Sequence, residues 1–213
     1  MLILALTGCG GGSTTSGASG TTSSSTGTTS PAAITGGAGA QSPAKAGSAS
    51  GVGAVATVEA TPVTQATFAH WLAVTAALTG VSGHAASASN AALKDKVMGF
   101  LLTSEWVLGE AAALGVDASE AEVHKRLEEV QKKQFKKPAE LQEYLKKNHE
   151  TMADLLLRVK LELLESAIAK KVTAAKHTAA EKKAALASFQ DQFEAKWKAK
   201  TSCAKGYAMG DCK

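Results

Sequence analysis

No Lys, Arg, Asp, Glu or His precedes Lys45, so the start of the chain carries no side-chain charge. Arginine is scarce throughout: of 23 basic residues only Arg126 and Arg158 are arginine, which argues against nucleic-acid binding. Aromatics make up 5% of the 213 residues and proline occupies four positions. Few breakers inside long periodic stretches favour helices. No stretch approaches the ~18 apolar residues of a membrane-spanning helix, so no span is expected. The five histidines, His70, His84, His124, His149 and His177, are scattered and form no His-Glu-x-x-His. There is no Gly-x-Ser-x-Gly elbow, and Gly10 to Gly12 precede no strand–helix unit. These absences leave no catalytic residue, metal site or cofactor to name.

What is present begins with Leu6-Thr7-Gly8-Cys9, directly after the apolar run Leu2 to Ala5. It reads as a lipobox, with residues 1–8 as a signal peptide truncated by a start codon placed too late and Cys9 as the acylated residue. A full secretory leader has a charged n-region and an apolar run of roughly 7–15 residues. The expected location is therefore the extracytoplasmic face of a bacterial membrane, held by lipid on Cys9.

Residues 9–53 are almost wholly Gly, Ser, Thr and Ala, with no aromatic and one charge, Lys45. Such a segment buries too little apolar surface to offset its ordering entropy. It is expected to be a disordered tether, reaching about 35–40 Å as a Gly/Ser-type coil. The Ser/Thr density also fits a glycosylated stalk.

The remainder, residues 54–201, is one domain by size. Val55 to Val58 is β-prone, Glu59-Ala60 turns it, and Thr61-Pro62-Val63 returns antiparallel, with Pro62 restricting this to an edge. Six helices are then expected. Thr64 caps the first, about residues 65–78, with Phe68, Trp71, Leu72 and Leu78 on its apolar side. The second runs about 90–114 and ends at Gly115. Ser119 with Glu122 opens the third, which stops near Phe135. Pro138 starts a short fourth. Thr151 with Asp154 opens a long fifth. The sixth, about 179–200, shows Leu186, Phe189, Phe193 and Trp197 on one face, and all these stripes are read as core. The fold class is mostly α, about six helices with a short N-terminal β-hairpin behind a disordered tether.

Cys203 and Cys212 stand in a tail, residues 202–213, with Gly206 and Gly210 between them. In an exported chain they are expected to pair. A redox pair would prefer Cys-x-x-Cys, and a zinc site would need two more ligands nearby. The lysine pairs 132–133, 136–137, 146–147 and 170–171 are read as a solvated face; the functional alternative is attraction to anionic polymers or headgroups.

The order of features resembles the SurA/PrsA-type N-terminal chaperone domain. The residues that carry it are Val55-Ala-Thr-Val58, Thr61-Pro62-Val63-Thr64 and Phe68-Ala-His-Trp71, then Leu114-Gly115-Val116 with Ser119-Glu-Ala-Glu122-Val123, and Asp154-Leu-Leu-Leu-Arg158-Val-Lys160. Glu59-Ala60 departs from the family's Asn-Gly, the pair a tight hairpin favours. Many members insert a parvulin prolyl isomerase between the last two helices, where this chain has only Lys176-His177-Thr178. The resemblance implies an ATP-independent chaperone binding unfolded or newly exported polypeptides through an apolar groove, without that catalytic domain. Met98, Trp106, Phe135 and Tyr144 sit off or at the ends of the clearest stripes and are the candidate client contacts. Two alternatives stand beside this: a structural or adaptor envelope lipoprotein with one partner, and an isomerase-family label without its own catalytic domain.

Overall fold

The computed structural model describes residues 53–212. The lipobox, Cys9 and nearly all of the tether lie outside them. Strand β1 (Ala54–Val58) pairs antiparallel with β2 (Thr61–Thr64), with a register shift between Ala54 and Ala56. Glu59 makes the turn with φ at 52°, the left-handed region that Asn or Gly enters more easily. Its N–H donates to the Lys200 carbonyl (2.8 Å), and its carboxylate meets the Lys200 ammonium. Both partners are groups of Lys200, the residue just before a strand that the sequence pattern does not reveal. Strand β3 (Thr201–Cys203) pairs antiparallel with β1, giving the order β2-β1-β3. Pro62 therefore lies on an edge strand, where its missing N–H leaves no ladder bond unmade.

Helix α1 (Gln65–Leu78) begins where Thr64 accepts a hydrogen bond from the Thr67 N–H. A single 3-10 turn, Gly83–Ala86, interrupts the loop before α2 (Ala91–Leu114), which Asn90 caps. Gly115 ends α2 with φ at 62°, and the Val116 N–H closes back on the Ala111 carbonyl. Helix α3 (Glu120–Gln134) and helix α5 (Met152–Thr173) open on reciprocal capping boxes, Ser119 with Glu122 and Thr151 with Asp154. Between them α4 (Pro138–Lys147) starts with Pro138 in its first turn. Helix α6 (Ala179–Ala199) has the same box, Thr178 with Glu181.

Two apolar clusters hold these elements together, and α2 runs through both. Val97, Met98, Leu101, Leu102 and Trp106 of α2 pack with Phe68, Trp71 and Val74 of α1, Val55 and Val58 of β1, and Trp197 of α6. Directly beyond, Val107 and Ala111 of α2 join Val123 and Leu127 of α3 and Val159, Leu161, Leu164 and Ile168 of α5. The segment Gly83–Leu114 is long and apolar enough to cross a membrane, which corrects the expectation that no such stretch exists. Its apolarity is explained by its position: ten α2 side chains are buried inside the fold.

The C-terminal tail closes one side of the first cluster. Cys203 and Cys212 are disulfide-bonded, Tyr207 meets the Phe68 ring edge-on at 5.1 Å, and Met209 reaches Gly99. Lys94 donates to the Gly206 carbonyl (2.8 Å), tying the tail to the first turn of α2.

Candidate polypeptide-binding surface

The last helix is held by its C-terminal end. Trp197 is buried, and its ring lies directly on Gly109 of α2. The Trp197 indole N–H donates to Glu110 Oε2 (2.7 Å), and Lys196 Nζ reaches the same oxygen at 2.6 Å. Trp106 Nε1 donates to Thr201 Oγ1 (2.8 Å), which donates in turn to the Trp197 carbonyl (2.8 Å). Among the described residues no fully buried side-chain polar atom of this lock is left without a partner, as a low-dielectric interior requires.

Beyond that lock α6 lies along α5 and is less deeply buried. Trp197 is its one buried residue. Moving toward its N-terminus, Phe193 is half-buried and meets Trp106 at 6.0 Å, Phe189 is half-buried and stacks on Phe193 at 5.9 Å, and Leu186 is 38% exposed. These side chains recur at helical spacing and form one continuous apolar ladder from core to solvent. Ala174–Thr178 joins α5 to α6, a length that returns the chain as an antiparallel helical hairpin. Leu163 lies ten residues before the end of α5 and Phe189 ten after the start of α6, so the two are level across the hairpin; Leu163 is half-buried.

The structure thus exchanges two sequence readings. Met98 and Trp106, expected to meet clients, are 1% and 3% exposed and belong to the core, because α1, α5 and α6 enclose α2. The stripe Leu186, Phe189 and Phe193, expected to be core, is partly open. Among the described residues no second layer packs outside Leu186, and helical periodicity does not distinguish the two cases. Phe135 and Tyr144 are half-buried and pair with each other, ring edge to face at 5.6 Å, where α3 passes into α4. They lie on elements other than α6, Phe135 at the α3–α4 corner and Tyr144 within α4.

Electrostatics mark the α4–α5 corner. Arg158 pairs with the buried Glu150 carboxylate at 2.5 Å, and Glu150 Oε2 has no hydrogen-bond partner. Burial first, and then the Glu150 charge, push the Tyr144 phenol above its usual range. On α2, burial alone raises the Glu105 carboxyl. Among the described residues there is no group of three or more metal-ligating side chains.

The described residues form a mostly helical domain whose last strand returns to an N-terminal hairpin. The family model for the SurA-like N-terminal domain matches residues 31–169, about two thirds of the chain, and the protein belongs to that family. Domains of this family generally bind polypeptides. No curated protein and no solved structure matches the chain. The family's insertion point, between the last two helices, is occupied here by Ala174–Thr178 alone.

Proposed function

We propose that this protein is an ATP-independent chaperone that shields unfolded or newly exported polypeptides at the outer face of a bacterial membrane, anchored by lipid on Cys9. The apolar ladder Leu186, Phe189 and Phe193 is the observation that carries the polypeptide-binding part. It presents partly open apolar surface on a helix that lies along α5 and buries only Trp197, which suits transient contact with many sequences. Burying about 100 Å² of apolar client surface there is worth roughly 2–3 kcal/mol, enough for weak, sequence-tolerant capture. Leu6-Thr7-Gly8-Cys9 supports the anchor, and the Gly/Ser/Thr-rich residues 10–53 supply reach from the bilayer.

Two unrelated aggregating clients test the chaperone. Suppression of both at near-stoichiometric protein, weakened by Leu186→Glu, is the expected result. No suppression by the parent sinks the reading and leaves the adaptor alternative. Intact mass of the membrane-fraction protein tests the anchor: a diacylated or triacylated chain starting at Cys9 is expected, and an unacylated one refutes it.

A further inference from the structure

We infer that the corner between α3 and α4 is a docking surface for anionic lipid headgroups, independent of any acyl chain on Cys9. Lys132, Lys133, Gln134, Phe135, Lys136 and Lys137 follow one another there, with no acidic residue between Glu129 and Glu140. All four lysines are exposed, and Phe135 is half-buried among them. Lys132 pairs with Glu128 at 3.6 Å, while among the described residues Lys133, Lys136 and Lys137 have no carboxylate within ion-pair distance. The nearest acid along the chain, Glu140, turns its Oε2 to the Lys136 backbone N–H (2.7 Å).

Folding explains only half of this cluster. Lys132 and Lys133 stand in the last turn of α3, where the helix dipole favours cations. Lys137 occupies the N-cap of α4, where the dipole disfavours a cation and a capping side-chain oxygen is wanted. The other five helices have such a cap, in Thr64, Asn90, Ser119, Thr151 and Thr178; α4 has none. A local rule broken at one exposed corner, in a chain that observes it elsewhere, points to a role outside folding.

The chemistry selects the partner. Lysine ammoniums are compact, strongly hydrated point charges on flexible stems, and the corner has no planar arginine fork; such a cluster suits diffuse attraction to a densely anionic surface rather than bidentate capture of one carboxylate. An aromatic ring set between lysines matches a headgroup interface, with charge at the phosphates and the ring at the acyl boundary. Phe135 is braced for this by Tyr144 behind it.

The test uses the full chain carrying Cys9→Ser, so that no lipid confuses the result, in co-sedimentation with phosphatidylcholine vesicles with or without phosphatidylglycerol. Binding is expected only with phosphatidylglycerol, falling as salt is raised. At about fivefold per lysine, the triple change Lys133→Glu, Lys136→Glu, Lys137→Glu is expected to weaken it by on the order of a hundredfold or more. Lys182→Glu with Lys183→Glu on α6 is expected to leave it unchanged, and circular dichroism checks that both variants fold. Equal binding by the triple variant, or equal binding of the parent to both vesicles, overturns the inference. So does capture of polyglutamate with no vesicle binding, which assigns the corner to acidic polypeptides. Aggregation suppression, read on the same proteins, is expected to survive the triple change; its absence in the parent counts against the chaperone and not against the lipid surface.

Discussion

Gly109 of α2 lies flat against the ring of Trp197 of α6: a Cβ at position 109 would stand 2.1 Å from Trp197 Cη2 and 2.8 Å from two further ring atoms. The contact is with the rigid six-membered part of the indole, so the neighbour has no flexible end to move aside. Helix α6 is seated by this approach, and its exposed apolar ladder extends from that seat.

Gly109→Ala therefore has a decisive sign. In an exposed helix the change stabilises by about 1 kcal/mol. Here overpacking is expected to win, with a net loss of about 1–3 kcal/mol in urea denaturation. A stabilised variant would show that Trp197 does not pack on α2 as described.

Glu110 accepts from both Trp197 and Lys196, and the two partners are unequal. Glu110→Ala leaves the buried indole N–H without an acceptor and is expected to lose about 1–3 kcal/mol. Lys196 is 38% exposed, so Lys196→Ala is expected to lose less than about 1 kcal/mol. A larger loss at Lys196 would contradict this division, and equilibrium unfolding of the two variants decides it.

Cys203 and Cys212 close a loop with a sequence separation of 9. Replacing both with serine is expected to lower stability by about 2–3 kcal/mol on the loop-entropy model. Because Tyr207 and Met209 cover the first cluster, loss of the bond is also expected to raise hydrogen exchange in β1 and at Gly99. Unchanged exchange there would mean that the tail holds itself in place.

The acid limb of stability should carry the caps. Hydrogen bonds from the Ser119 side chain and then its backbone hold the Glu122 carboxyl below its usual range, and bonds from Thr178 and His177 do the same for Glu181. A carboxyl depressed in the folded state stabilises above its unfolded value, near pH 4, and loses that contribution as pH falls through the folded value. Glu122→Gln is accordingly expected to be less stable than the parent at pH 7, with the difference closing as pH falls below the free carboxyl's range. Burial raises Glu105 and acts in the opposite direction: its ionisation disfavours the folded state, so acidification from neutral pH first relieves that penalty. A difference between Glu122→Gln and the parent that stays constant from pH 7 to the acid limb would remove the carboxylate from the account.

Most helix ends were legible because the chemistry that sets them is local. Thr64, Ser119 and Thr151 are read within four residues, and the αL turn at Gly115 needs only the absence of a Cβ. Strand β3 was not legible. Thr201, Ser202 and Cys203 show no alternating pattern, and they are extended because the free edge of β1 accepts them. The turn at Glu59 follows the same logic: its left-handed backbone is matched by contacts to Lys200, far along the chain, and not by Asn-Gly locally. Met98 and Trp106 were read as open to clients, and are buried, for a related reason. Periodicity reports which residues share a helix face, whereas exposure depends on what lies opposite that face.

The sequence by itself determined a mostly helical domain behind a Gly/Ser/Thr-rich segment, and the boundaries of its helices, because caps, breakers and the 3.6-residue period act over one or two turns. Tertiary structure alone decided that α2 is enclosed, burying Met98 and Trp106, and that α6 is pinned at Trp197 and open at Leu186. Those outcomes come from contacts between residues tens of positions apart, such as Gly109 with Trp197. The energy of such contacts exists only once two helices have met.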